Sequence, residues 1–106
     1  MRGDVHRLSP RRSSGHEQQG PRYAVVVMAD WLSLSTVLVA PTSTSAAGTV
    51  YRPEIELQGR TTKVMCEQVT AVDLQRLGPP VSHLTYHELT QVNDALRLVL
   101  DLAPTP

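Results

Sequence analysis

Thr85-Tyr86-His87-Glu88-Leu89-Thr90-Gln91-Val92-Asn93-Asp94-Ala95-Leu96-Arg97-Leu98-Val99-Leu100 is where the hydrophobic period of this chain changes. Thr85 followed three residues later by Glu88 fits a capping box, with Thr85 as N-cap and Glu88 at N3. Leu89, Val92, Leu96, Val99 and Leu100 then recur at steps of three and four, which predicts one apolar face on a helix of about four turns. Ala103-Pro104-Thr105-Pro106 ends it. Upstream the pattern is that of strands. Tyr23 to Met28 and Ser35 to Ala40 are short β-branched runs, read as buried strands joined by Asp30 to Leu34. Thr42 to Gly48 reads as a loop. Glu54-Ile55-Glu56-Leu57 alternates polar and apolar, Gln58-Gly59-Arg60 is a hairpin turn, and Thr61 to Gln68 is the return strand. Gly78-Pro79-Pro80 is read as a break before a short segment ending at His83-Leu84. Antiparallel strands followed by one helix predict a mainly β fold, a strongly bent sheet or small barrel with the C-terminal helix packed on it.

With 106 residues there is room for a single domain, residues 1–106, and its core must come from Val, Leu, Ala and Ile, because Phe is absent and there is one Trp. One cysteine, Cys66, excludes an internal disulfide and a cysteine-cluster zinc site. The longest apolar runs fall far short of the ~20 residues of a membrane span, and no apolar segment follows Met1 to mark secretion. A reduced, cytoplasmic, soluble domain is expected, with a homodimer as the means of burying more apolar surface.

The formal charge is zero, but unevenly distributed. Residues 1–25 carry five arginines against Asp4 and Glu17, a balance of +3, and the remaining residues carry −3. Nine of the ten basic residues are Arg, the side chain suited to bidentate contacts with phosphate. Residues 9–22 are polar and rich in turn formers, a long surface loop of the length that is usually functional or disordered. This loop delivers Arg22 to the start of a hydrophobic strand. If that strand pairs with Ser35 to Ala40, Arg22 and Thr42 approach each other, and a guanidinium beside a hydroxyl suits a phosphate. No phosphate-binding loop, dinucleotide-binding glycine pattern, EF-hand or zinc-protease motif is present. His6, His16, His83 and His87 are not spaced as a metal set. Glu54 and Glu56 share one strand face and read as solvated, and Cys66 reads as a small core residue.

These residues together resemble the MazF/PemK-type toxins. Arg2-Gly3-Asp4-Val5 resembles the opening strand of that family. Gly15-His16-Glu17-Gln18-Gln19-Gly20-Pro21-Arg22 resembles its Gly-Ser-Glu-Gln-Gly-Gly-x-Arg-Pro signature, and Val37 to Thr44 its strand ending in Ala-x-x-Thr. Cys66 to Asp73 with Arg76-Leu77 resembles its Leu-Glu-Gln-Ile-Arg-Thr-Ile-Asp…Arg-Leu block, and Val92 to Leu102 its C-terminal helix. Three positions depart: His16 stands for Ser, Gln19 for the second Gly, and Tyr23 for the Pro after the arginine. The loop from Ala46 to Tyr51 is also short. These departures fall in substrate-facing loops and bear on the cleavage sequence more than on the reaction.

The resemblance implies an SH3-like barrel of antiparallel strands with short helices, usually a homodimer. It implies a bacterial, cytoplasmic endoribonuclease that cuts single-stranded RNA without metal or cofactor, leaving 2′,3′-cyclic phosphate and 5′-hydroxyl ends, and that a MazE-like antitoxin neutralises. Arg22 and Thr42 fall on the catalytic arginine and threonine, and Glu17 on the acidic residue of the flexible loop, with His16 beside it as a further candidate base. Arg11, Arg12, Gln18, Gln19 and Thr44 are the expected RNA contacts. The related CcdB-type proteins share the fold but bind DNA gyrase and lack the Arg/Thr arrangement, which ranks that reading second.

Overall fold

The β-branched runs become the middle of one antiparallel sheet. The structure is a computed structural model, and it describes residues 1–9 and 22–102. Its strands are β1 (Asp4–Leu8), β2 (Arg22–Val26), β3 (Thr36–Ser43), β4 (Glu54–Leu57), β5 (Arg60–Val64), β6 (Thr70–Asp73) and β7 (Leu77–His83). A 3-10 turn at Cys66–Gln68 precedes β6, another at Leu74–Arg76 follows it, and one helix, α1 (Tyr86–Leu100), closes the order. The sheet runs β4-β5-β3-β2-β1-β7, with β6 also on β3. β3 organises it. One edge pairs with β2 through Ala24↔Pro41 to Val26↔Val39; the other pairs with β6 over Thr36 to Val39 and with β5 at Thr42 and Ser43. Two partners on one edge split the sheet and curl it into a half-barrel. Mostly antiparallel strands with one C-terminal helix is the class the sequence predicts.

Both faces of β2 are covered, which is why its sequence is a continuous apolar run. Val25 joins Val5, Ala40, Ile55 and Val64 in one cluster, against which α1 packs Val92 and Ala95. Ala24 and Val26 point the other way, to Val37, Val39 and Val72. The helix begins as predicted. Thr85 Oγ1 accepts the Glu88 N–H at 3.1 Å, and Glu88 Oε1 accepts the Thr85 N–H at 2.9 Å. The second oxygen of Glu88 accepts the Glu56 N–H of β4 at 2.9 Å, so one carboxylate caps the helix and anchors it to the sheet. At the other end Asp101 adopts φ 56° and returns its N–H to the Arg97 and Leu98 carbonyls. The helix therefore stops before Ala103, and residues 103–106 lie outside the described residues. Leu100, expected on the apolar face, is exposed. No helix among the described residues is long and apolar enough to cross a membrane.

Four segments differ from the sequence reading. β3 continues three residues past Ala40, so Thr42 lies in the strand and the loop starts at Thr44. The return strand ends at Val64, and Cys66–Gln68 forms a 3-10 turn. Gly78-Pro79-Pro80 is no break: it lies within β7, the last strand of the sheet, where a residue without N–H leaves no ladder bond unmade on the free edge. β7 accommodates the prolines through register shifts against β1 on both sides of His6. β6 is a strand that the sequence pattern does not predict.

Candidate active site

Arg22 is the first residue of β2, exposed, and paired with Leu8 of β1. Thr42 lies on the neighbouring strand, where its hydroxyl donates to the Tyr23 carbonyl at 3.0 Å. The antiparallel pairing expected between these strands is present, and it brings Thr42 beside the residue that follows Arg22. Both stand at the end of the β2–β3 ladder where the segment 10–21 enters. Thr42 is only 9% exposed. Its single O–H is committed to Tyr23 while its lone pairs stay available, so donating to a phosphate oxygen requires the hydroxyl to rotate off that carbonyl. Thr44 is exposed, one residue beyond β3. Arg11, Arg12, His16, Glu17, Gln18 and Gln19 lie outside the described residues.

A second constellation joins this corner, one that the sequence did not mark. The Met65 N–H donates to the Pro41 carbonyl at 2.8 Å, which sets the Cys66–Gln68 turn next to Thr42. Arg52 Nε and Nη2 both donate to Glu67 Oε2, at 2.9 and 2.5 Å, and Nη1 donates to the Ala47 carbonyl at 3.2 Å. The Arg52 bond holds the Glu67 carboxyl below its ordinary value, and the same bond raises the Arg52 guanidinium. Glu67 Oε1 is buried with no hydrogen-bond partner among the described residues. Fifteen residues separate the pair, and no local motif couples them, so only the fold makes it visible.

The remaining candidates behave as ordinary structure. Cys66 is wholly buried, and burial pushes its thiol up to about 11, far from a reactive thiolate. Glu54 and Glu56 are exposed, Glu54 against Lys63 at 3.3 Å and Glu56 accepting the Thr61 hydroxyl at 3.0 Å. His6 Nδ1 lies 2.7 Å from the Gly78 carbonyl and must be the donor, since a carbonyl only accepts. His83 Nδ1 meets Asp4 Oδ1 at 2.6 Å. Burial pushes Asp4 upward, but the His83 bond and the N-terminal ammonium outweigh it and leave its carboxyl below the ordinary value. Among the described residues no group of three or more His, Cys, Asp or Glu side chains is arranged to hold a metal ion. A groove of about 930 Å³, lined by neither Arg22 nor Thr42, lies between the loop at Gly48–Pro53, β4 and the start of α1. Four carboxylates, Glu54, Glu56, Glu88 and Asp94, line it against Arg52 and Lys63, a balance that disfavours a polyanion there.

Comparison with known proteins adds the following. A family model described as PemK-like, MazF-like toxin of type II toxin–antitoxin systems matches residues 1–100. A toxin of Mycobacterium tuberculosis is 38% identical over 104 residues, 96% of this chain and 98% of its own length. The endoribonuclease MazF9 of the same organism is 30% identical over 114 residues, 95% of this chain and 96% of its own. Among solved structures, an endoribonuclease in complex with its cognate antitoxin from a mycobacterial species superposes with a TM-score of 0.81 at 19% identity, covering 100% of this chain and 98% of that one. MazF of Deinococcus radiodurans superposes at 0.75 with 20% identity over 95% and 96%. At such identities the superpositions establish the fold.

Proposed function

This chain belongs to the PemK-like, MazF-like family of toxins of type II toxin–antitoxin systems, and from that premise we propose that it is a metal-independent endoribonuclease of single-stranded RNA. The observation that carries the chemistry is Arg22 and Thr42 at the same end of two paired strands, with the Thr42 hydroxyl bonded to the carbonyl next to Arg22. The substrate's own 2′-hydroxyl attacks the adjacent phosphorus in line, the bond to the 5′-oxygen breaks, and the products are a 2′,3′-cyclic phosphate and a 5′-hydroxyl. Arg22 stabilises the charge that builds on the phosphorane and helps protonate the leaving oxygen. Thr42 turns its hydroxyl from Tyr23 to a non-bridging oxygen. Glu17 or His16 takes the 2′-proton, and His has the reference pKa better matched to neutral pH.

The family match and the 30%-identical endoribonuclease support this reading over gyrase binding. A MazE-like antitoxin and a second copy of the chain are the proposed protein partners, and the proposed setting is the bacterial cytoplasm. The test is labelled single-stranded RNA with the pure protein in EDTA. Cyclic-phosphate ends from wild type and none from Arg22→Ala are expected. Cleavage only after Mg²⁺ is added overturns the mechanism.

A further inference from the structure

We infer that Arg52 is a positioning residue for RNA: it clamps the loop between β3 and β4 against the Cys66–Gln68 turn, across the corner that holds Arg22 and Thr42. This rests on the nuclease reading above. Residues 44–53 follow directly from Thr42-Ser43 and carry the candidate RNA contact Thr44. The loop's internal bonds are short in sequence. Ser43 Oγ accepts the N–H groups of Ser45 and Ala46, Thr49 Oγ1 accepts that of Tyr51, and the Thr49 carbonyl accepts that of Arg52. Such bonds shape turns, and the Val64 N–H holds the end of the loop at the Pro53 carbonyl at 2.9 Å, but none of them ties the middle of the loop to the Cys66–Gln68 turn. Among the described residues the polar side-chain tie from this loop to the Cys66–Gln68 turn is Arg52 on Glu67.

The geometry of that tie fits a clamp better than a plain ion pair. The strongest Arg–carboxylate arrangement gives each oxygen its own N–H. Here Arg52 Nε and Nη2 converge on Glu67 Oε2, which also accepts the Gln68 side-chain N–H at 3.4 Å, Oε1 is left with no hydrogen-bond partner among the described residues, and Nη1 is turned to the Ala47 carbonyl. One guanidinium thus joins the middle of the loop, at Ala47, to the turn that the Met65–Pro41 bond fixes beside Thr42. The side chains are 20% and 25% exposed, too sheltered for the loosely held pair of an open surface. Tyr51 packs on the core below, and the guanidinium stands 5.9 Å from its ring centroid, which limits the ways the loop can close.

Losing the clamp should weaken RNA binding more than it slows the bound reaction. The experiment compares wild type, Arg52→Ala and Arg52→Lys. Each is measured for affinity toward an oligoribonucleotide blocked by a 2′-deoxy residue at the cut, for single-turnover cleavage of the unblocked RNA, and for thermal unfolding. Arg52→Ala should raise Kd about tenfold and leave the saturated cleavage rate within about twofold, the pattern of lost uniform binding. Arg52→Lys keeps the charge but cannot reach Glu67 and Ala47 together, so its Kd should lie between. If Arg52→Ala does not fold, Arg52→Lys carries the test by the same comparison. Unchanged Kd in a folded variant overturns the inference, and so does a fall in cleavage rate alone, which marks a role in the chemistry or a smaller active fraction. A wild type that binds the blocked RNA without cutting the unblocked one refutes the nuclease reading, while the Kd comparison still decides the clamp. A wild type that neither binds nor cuts refutes both.

Discussion

Arg22 and Thr42 carry different risks on mutation, because one is exposed and the other is built into the sheet. Arg22 supports little packing. Arg22→Ala should leave thermal unfolding near wild type and lower single-turnover cleavage by on the order of 10²–10³, the usual cost of one preorganised donor. Arg22→Lys should also fail, since a point charge does not reproduce the planar fork. Near-wild-type cleavage from a folded Arg22→Ala sample would end the case. Thr42→Val removes the hydroxyl that donates to the Tyr23 carbonyl. It should cost about 1 kcal/mol of stability, the usual net worth of one hydrogen bond, as well as activity. Thr42→Ser should keep the bond and part of the activity, and chemical denaturation of the three proteins checks the order. Glu67 adds a pH dependence. Its carboxyl is depressed because Arg52 donates to the charged form. The stabilisation it gives is therefore complete above its ordinary 4.5 and is lost as pH falls through the lowered value. Melting temperature below pH 4.5 should fall more steeply for wild type than for Arg52→Ala; parallel curves would mean the pair adds no stability.

Thr85 and Glu88 show how far an element can be read before its neighbours are known. A capping box is local chemistry, so its start was legible in four letters, and Thr85→Ala should cost about 1 kcal/mol by calorimetry. The third bond of Glu88, to the Glu56 N–H, was not legible, because it depends on where β4 lies. Glu88→Ala should accordingly destabilise more than Thr85→Ala, and an equal loss would show that the tie to the sheet contributes nothing. The strands divide in the same way. The β-branched runs and the Gln58-Gly59 hairpin announced β2, β3, β4 and β5, because side-chain stiffness and turn geometry are properties of the segment. β7 was hidden because Pro79 and Pro80 suit only an edge, and edge position belongs to the whole sheet. The last residues of β3 lie outside the β-branched pattern, because Pro41 and Ser43 have weak strand preference and are held by pairing to β2 and β5; the family resemblance alone, over Val37 to Thr44, placed them in a strand. That extension matters for the candidate site. It moved Thr42 from a loop into the ladder and turned a freely placed hydroxyl into one that already holds a bond. Arg52 and Glu67 were illegible for the same reason, as two charges fifteen residues apart on separate elements.

The distribution of charge and apolar surface over the whole molecule decides what the chain meets. The core is made of small side chains, Val, Ala, Ile, Leu and Cys66, with no aromatic ring fully buried. Large apolar groups remain outside, including Trp31 at 81%, Val50 at 80%, Tyr86 at 88% and Leu98 at 61% exposed. Such surface on so small a domain predicts a homodimer. Light scattering at micromolar concentration should give twice 11.6 kDa, and 11.6 kDa itself would refute it. The groove beside α1 sets four carboxylates against Arg52 and Lys63, whereas residues 1–25 carry the +3 excess, so the basic N-terminal part is the expected path for RNA and for an acidic antitoxin segment alike. Antitoxin and RNA should then compete, and simultaneous binding with unchanged affinities would separate the two sites. The salt dependence assigns the path to particular residues. Each phosphate neutralised on a single strand contributes about −0.7 to the slope of log K against log salt. If Arg11 and Arg12 each meet one phosphate, replacing both with Ala should flatten the slope by about 1.4 and weaken binding most at low salt. An unchanged slope would remove both residues from the footprint and leave Arg22 as the phosphate contact, with affinity coming from groups that salt does not screen.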